Sequence, residues 1–310
     1  MQFVRDKRVI YASNPLSMVV CQIRFSTLLE LTAQLPIRFQ QAVRAEYPML
    51  SVAQNMQVIV NFGGVPTPAA APSIPDNSYN FVSADGSWTI NLSKDSLTLQ
   101  TTAYVRWEEF KDRLVQIFGT FWNLYGPIAV TRIGLRYQDI LDREKHGLGD
   151  DAWTAWVKPQ VLGLLADPQL LTAKQHQSVS IVPLDDERGE LALRAGLGLN
   201  NESGKQVFLI DADFYADSSS GQSPGSDIPS ILDRLDHFNE QAGGLFRWCI
   251  TDDLHAKLKP TDPLDSFFLG VPSVGDCVAR RRSTHAMSLR APICPGTGTY
   301  GRTNGACTRG

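Results

Sequence analysis

The chain has 310 residues, 43% of them apolar, enough to bury a sizeable core as one large domain or two of ordinary size. Its 29 Lys and Arg against 32 Asp and Glu give a net charge of -3, which excludes a global attraction to phosphate or anionic lipid and restricts any nucleic-acid role to a local basic patch. Five cysteines without paired spacing point to neither a disulfide framework nor a zinc site, and no apolar run approaches the roughly 20 residues that cross a bilayer.

The opening Met1-Gln2-Phe3-Val4-Arg5-Asp6-Lys7-Arg8 leads into no signal-peptide core, so the chain is expected to be cytoplasmic and not bound to a membrane. Met18 to Phe25 alternates as a strand, with Val19, Cys21, Ile23 and Phe25 on one side. Pro36 opens a short helix through Ala45, and a strand is predicted at Met56 to Phe62. Gly63 to Asn77, rich in Gly, Pro and Ala, reads as a mobile loop. Three hairpin-linked strands follow at Tyr79 to Ala84, Ser87 to Leu92 and Leu97 to Tyr104, with Asp85-Gly86 marking the first turn. Arg106 to Tyr125 is a long helix whose Trp107, Phe110, Leu114, Ile117, Phe118 and Phe121 form a wide apolar stripe. At that spacing these aromatics belong to a core, and Gly126-Pro127 ends the helix.

The same order then recurs. A strand is predicted at Ile128 to Ile140, then a helix at Asp151 to Leu165 that Pro159 must kink or break, then strands near Ser178 to Leu184, Glu190 to Leu199 and Gln206 to Tyr215. Asp227 and Pro229 start a second long helix, predicted to close at Gly243-Gly244 before a last strand at Phe246 to Ile250 and a short helix capped by Thr251 or Asp252. The expected fold is α+β, a duplicated strand-helix-strands-helix unit forming an antiparallel sheet with helices packed on one face. Residues 1–126 form the first repeat of a single pseudo-symmetric domain, residues 127–260 the second. Residues 261–310, with six Arg, no Lys, seven Gly and no periodicity, form an irregular, disordered tail that could serve as a basic arm for RNA or DNA.

Asn14-Pro15-Leu16 before the first strand, Tyr104-Val105-Arg106-Trp107-Glu108-Glu109-Phe110 and above all Arg132-Ile133-Gly134-Leu135-Arg136-Tyr137 resemble a sporadically distributed family of uncharacterised bacterial proteins, over about residues 14–255. That resemblance implies no activity, substrate or catalytic residue. The layout is also similar to TATA-box-binding-protein-like saddle folds, and layout alone confers no function.

Alternation assigns sides as well as strands. If the apolar residues meet the helices, Gln22, Arg24, Arg132, Gly134, Arg136, Gln138, Arg194, Asp211 and Asp213 point away from them. Arg24, Arg132, Arg136 and Arg194, with Asp211 and Asp213, are therefore the candidate ligand-binding residues, since guanidinium groups bind phosphate and carboxylate bidentately. The plain alternative is a set of cross-strand ion pairs on a solvated face. The function expected is a binding or interaction module, non-enzymatic, for a protein partner or a small anionic ligand, with no cofactor and no bound metal.

Nucleic-acid binding through Arg24, Arg132 and Arg136 is the second reading, and a metal-dependent hydrolase at Asp211 and Asp213 the third. Asp139, Asp142, Glu144 and His146 have the composition of an acid–base cluster but also that of a solvated loop. Gly196-Leu197-Gly198 lies within a strand and lacks the strand-to-helix context of a phosphate loop.

Overall fold

A computed structural model describes Phe3 and residues 9–54, 77–170, 172–184, 188–200, 203–222, 224–225 and 227–261. In chain order these form β1 (Ile10–Tyr11), β2 (Leu16–Phe25), α1 (Leu29–Ala33), α2 (Ile37–Val43), β3 (Met49–Gln54), β4 (Asn77–Val82), β5 (Trp88–Leu92), β6 (Ser96–Thr101), α3 (Trp107–Tyr125) and β7 (Val130–Asp142). They continue as α4 (Pro159–Leu162), β8 (Gln177–Pro183), β9 (Glu190–Leu199), β10 (Gln206–Asp217), α5 (Ile228–Cys249), α6 (Asp252–Lys257) and β11 (Pro260–Thr261). Nine strands make one antiparallel sheet in the order β3-β4-β5-β6-β2-β7-β10-β9-β8, and β1 pairs with β11. The fold is α+β with an antiparallel sheet, as the alternation predicts. One arm of the sheet lies outside β2 and the other outside β7; descent of the two arms from a duplicated unit is a proposal that this layout accommodates.

The central strands explain why the helices share one face. Val19, Cys21, Ile23 and Phe25 of β2 are buried, and so are Ile133 and Leu135 of β7 and Phe208, Ile210 and Phe214 of β10. Each of these rows occupies alternate positions, so its side chains fall on one side of the sheet. Phe25 meets Phe121 of α3 with ring centroids 5.1 Å apart, Phe214 meets Phe238 of α5 at 6.2 Å, and Phe39 of α2 meets Phe81 of β4 at 5.4 Å. Burying a large apolar side chain in this layer contributes about 1.5–3 kcal/mol. The two long helices are also tied to each other, because Asp236 of α5 accepts hydrogen bonds from Trp107 Nε1 at 2.7 Å and Lys111 Nζ at 2.6 Å on α3.

Three helix boundaries follow local chemistry plainly, and one runs against it. Gly126, at φ 76°, ends α3, and Asp227 caps α5 through a reciprocal pair of hydrogen bonds with Ser230. Pro159 does break its segment, leaving short 3₁₀ turns and the single turn of α4. The exception is the end of α5: it runs through Gly243 and Gly244 to Cys249, and the predicted strand at Phe246 to Ile250 is absent apart from a bridge between Ile250 and Val157. Two interior glycines cost about 2 kcal/mol. The stripe Phe238, Ala242, Leu245 and Cys249 continues past them at helical spacing and is buried throughout, which offsets that cost.

The strand predicted at Met56 to Phe62 lies outside the described residues, as do the loop up to Asp76 and the tail from Asp262. An edge strand unforeseen in the sequence, β3, comes earlier and pairs Met49–Gln54 with β4.

Candidate functional site

β2, β7, β10 and β9 lie side by side, and their second set of alternate positions carries every candidate residue on the side away from the helices. Arg24 stands directly opposite Arg132 across the β2–β7 pair, and Asp211 directly opposite Arg194 across β10–β9. Arg136 reaches diagonally to Asp211 in a two-pronged contact, Nε to Oδ1 and Nη2 to Oδ2 both at 2.6 Å. Arg132 Nη2 reaches Asp213 Oδ2 at 2.8 Å, and Arg194 Nη1 lies 3.7 Å from Asp211 Oδ2. Asp211, with its side chain only 3% exposed, thus sits beneath two guanidinium groups. Its hydrogen bonds raise the pKa of Arg136. Burial holds the Asp213 carboxyl above its usual range despite Arg132.

A glycine makes the diagonal of Arg132 possible. A Cβ on Gly134 would lie 2.8 Å from Arg132 Nη1 and 3.2 Å from Asp213 Oδ1, so the bare backbone is the floor over which the guanidinium crosses. Tyr215, paired with Gly134 in register, supplies an aromatic face 4.7 Å from Arg132 Cζ. The Arg-Ile-Gly-Leu-Arg-Tyr sequence is therefore two interleaved patterns: Ile133, Leu135 and Tyr137 enter the core, while Arg132, Gly134 and Arg136 build the ionic row.

Three members of this face escaped the sequence reading. Tyr215 and Asp217 share the parity of Asp211 and Asp213, and Glu190 that of Arg194, so alternation alone was enough to find them. Burial and a hydrogen bond with Glu190 push the Tyr215 hydroxyl up to about 12. Hydrogen bonds from Ser219 hold the Asp217 carboxyl below its usual range, and Arg132 and Arg24 add to the effect. Arg24 is exposed and forms no ion pair within 4.0 Å among the described residues.

The acid–base composition near the end of β7 does not converge on one point. His146 is buried, with Nδ1 3.0 Å from Ser13 Oγ and Nε2 3.2 Å from the Ile140 carbonyl, and burial pushes its pKa down. Asp142 accepts from the Glu144 and Lys145 amides, Glu144 pairs with Lys205, and Asp139 points to the helix side. Gly196 has a steric role: a Cβ there would stand 2.2 Å from the His176 carbonyl oxygen. Among the described residues no group of three His, Cys, Asp or Glu side chains is arranged to hold a metal ion.

Compared with known proteins, the chain matches no family model and no curated sequence.

Proposed function

We propose that the protein is a non-enzymatic binding module whose open sheet face takes an anionic group on Arg24 and Arg132, either a small ligand or an acidic side chain of a protein partner. The observation that carries this reading is the register pair Arg24–Arg132. Like charges directly opposite each other on a sheet are destabilising. Arg132 turns to Asp213, and Arg24 is left exposed beside it. An anion bridging the two guanidinium groups relieves the repulsion and gains charge-assisted hydrogen bonds. Arg194, with only a 3.7 Å contact to Asp211, is the next available donor.

The same charges weigh against a polyanion. Asp211, Asp213, Asp217 and Glu190 share the face with the four arginines, so the local excess of positive charge that counterion release requires is small. The metal-hydrolase reading is weaker, because its two carboxylates already hold guanidinium groups. No helix among the described residues is long and apolar enough to cross a membrane; a cytoplasmic location, like membership of the bacterial family it resembles, belongs to the proposal.

Calorimetric titration of the full chain with pyrophosphate and with citrate at low ionic strength tests the reading. Saturable binding is expected, weakened at least tenfold, about 1.4 kcal/mol, by Arg24→Gln. Absence of saturable heat with either anion, or equal affinity in the variant, defeats it. A mobility shift with single-stranded RNA that weakens steeply with salt would instead support the nucleic-acid reading.

A further inference from the structure

On the opposite side of the sheet a cavity of about 1080 Å³ opens between the start of α3, the middle of α5, the end of β7 and the segment around β1. That volume is ample for a drug-sized ligand, and the cleft is open to solvent on one side. Its walls include Tyr11, Tyr104, Trp107, Tyr137 and Phe246. Several of these are fixed by their neighbours: the Tyr137 hydroxyl donates to Asn239 Oδ1 at 2.9 Å, Tyr104 and Tyr137 meet edge to face at 6.0 Å, and Tyr11 Oη lies 2.9 Å from His255 Nδ1.

Asp139 lines this cavity from the sheet. It has the parity of Ile133, Leu135 and Tyr137, so β7 directs it to the helix side among apolar residues, where it is only 8% exposed. Among the described residues its carboxyl receives no hydrogen bond and forms no ion pair. Other acids on the walls are engaged, Asp236 by Trp107 and Lys111 and Asp233 by Arg188. Burial, with the charge of Asp211 adding to it, holds the Asp139 carboxyl up at about 7. A buried carboxyl without a partner is expensive to keep in a fold, and one aimed into a roomy aromatic cavity is a recognised signature of a binding site.

We propose that this cavity is a second binding site, separate from the arginine face, which takes an organic amine with an apolar body and seats its ammonium group on Asp139. The assignment of charge follows from the walls. Asp236 and Asp233 are neutralised by Lys111 and Arg188, and Arg247 is turned to Asp252, whereas Asp139 has no cation within 4.0 Å among the described residues, so the charge it asks for is positive. An ammonium ion satisfies the orphan carboxylate with a charge-assisted hydrogen bond. The body of the ligand then covers the aromatic walls and Phe246.

The test is calorimetric titration of the full chain at pH 8, where Asp139 is ionised, with phenethylamine and with phenylpropionate as its anionic counterpart. One equivalent of phenethylamine is expected to bind, at least tenfold tighter than phenylpropionate. Asp139→Asn, nearly isosteric and neutral, is expected to weaken the amine at least tenfold, while Arg24→Gln leaves it unchanged. A second variant guards against a folding failure: Gly243→Leu, at a helix position whose Cβ meets nothing within 4 Å, projects into the mouth and is expected to block the amine. Undetectable amine binding, a preference for phenylpropionate, or undiminished affinity in Asp139→Asn or in Gly243→Leu overturns the proposal.

Discussion

Arg132 and Asp139 are seven residues apart on one strand, and the fold treats them in opposite ways. Arg132 receives a floor at Gly134, a ring at Tyr215 and a counterion at Asp213. Asp139 receives none of these, and its raised pKa has a thermodynamic signature. Because the folded state holds its proton up to about pH 7 and the unfolded chain releases it near pH 4, the contribution to stability is fully present below pH 4 and is lost as pH rises to about 7. The difference amounts to about 4 kcal/mol. Urea unfolding of the wild type between pH 4 and pH 8 is expected to lose stability on that scale relative to Asp139→Asn, whose side chain does not titrate. Parallel pH profiles for the two proteins would show that the Asp139 carboxyl is not held neutral by burial.

At the scale of elements, α5 carries the clearest conflict between local preference and packing. Gly243 is exposed within the helix, and a Cβ there meets nothing within 4 Å. Gly243→Ala is therefore expected to raise stability by about 0.5–1 kcal/mol, read from the urea midpoint; a lower midpoint would mean the glycine has a contact or conformational need that the helix geometry does not reveal. The same pair of glycines explains a limit of legibility. Gly243-Gly244 has the composition of a helix stop, and only the burial of Leu245 and Cys249 against the rest of the chain overrides it. β3 was hidden for a related reason: as an edge strand it leaves Leu50 and Val52 exposed at 44% and 57%, with little of the pattern that burial imposes. Where both faces of a strand have distinct neighbours, as in β2, β7 and β10, alternation placed the arginines and aspartates on their side correctly. Pairing is a different matter. Which arginine reaches which aspartate depends on register and on the diagonal over Gly134, and neither is written in periodicity. Asp139 was legible by parity, but the helix-side cavity it lines depends on where α3 and α5 come to rest.

For the whole molecule, the strand order separates contacts by their distance along the chain. β4, β5 and β6 form a meander, and so do β8, β9 and β10, each closed by nearby turns. β2 is different, because it enters between β6 and β7, pairing Val20 with Gln100 on one side and with Arg136 on the other. The joins of β2 to β6 and to β7, like that of β7 to β10, close long loops, so pairing there is rewarded later than pairing within the meanders. The expected order of assembly is that the meanders form first and β2 docks after them, as the seam that makes one sheet of them. Ile23→Val, at a buried seam position between Leu97 and Ile133, is expected to cost about 0.5–1.5 kcal/mol and to express it as faster unfolding, with the folding limb of the chevron nearly unmoved. A folding limb slowed by the full amount would place β2 in the nucleus instead. Since β2 also carries Arg24, a late seam means that the arginine pair comes into being only with the last step of folding, and a partially folded chain would have both arms of the sheet before it had the anion site.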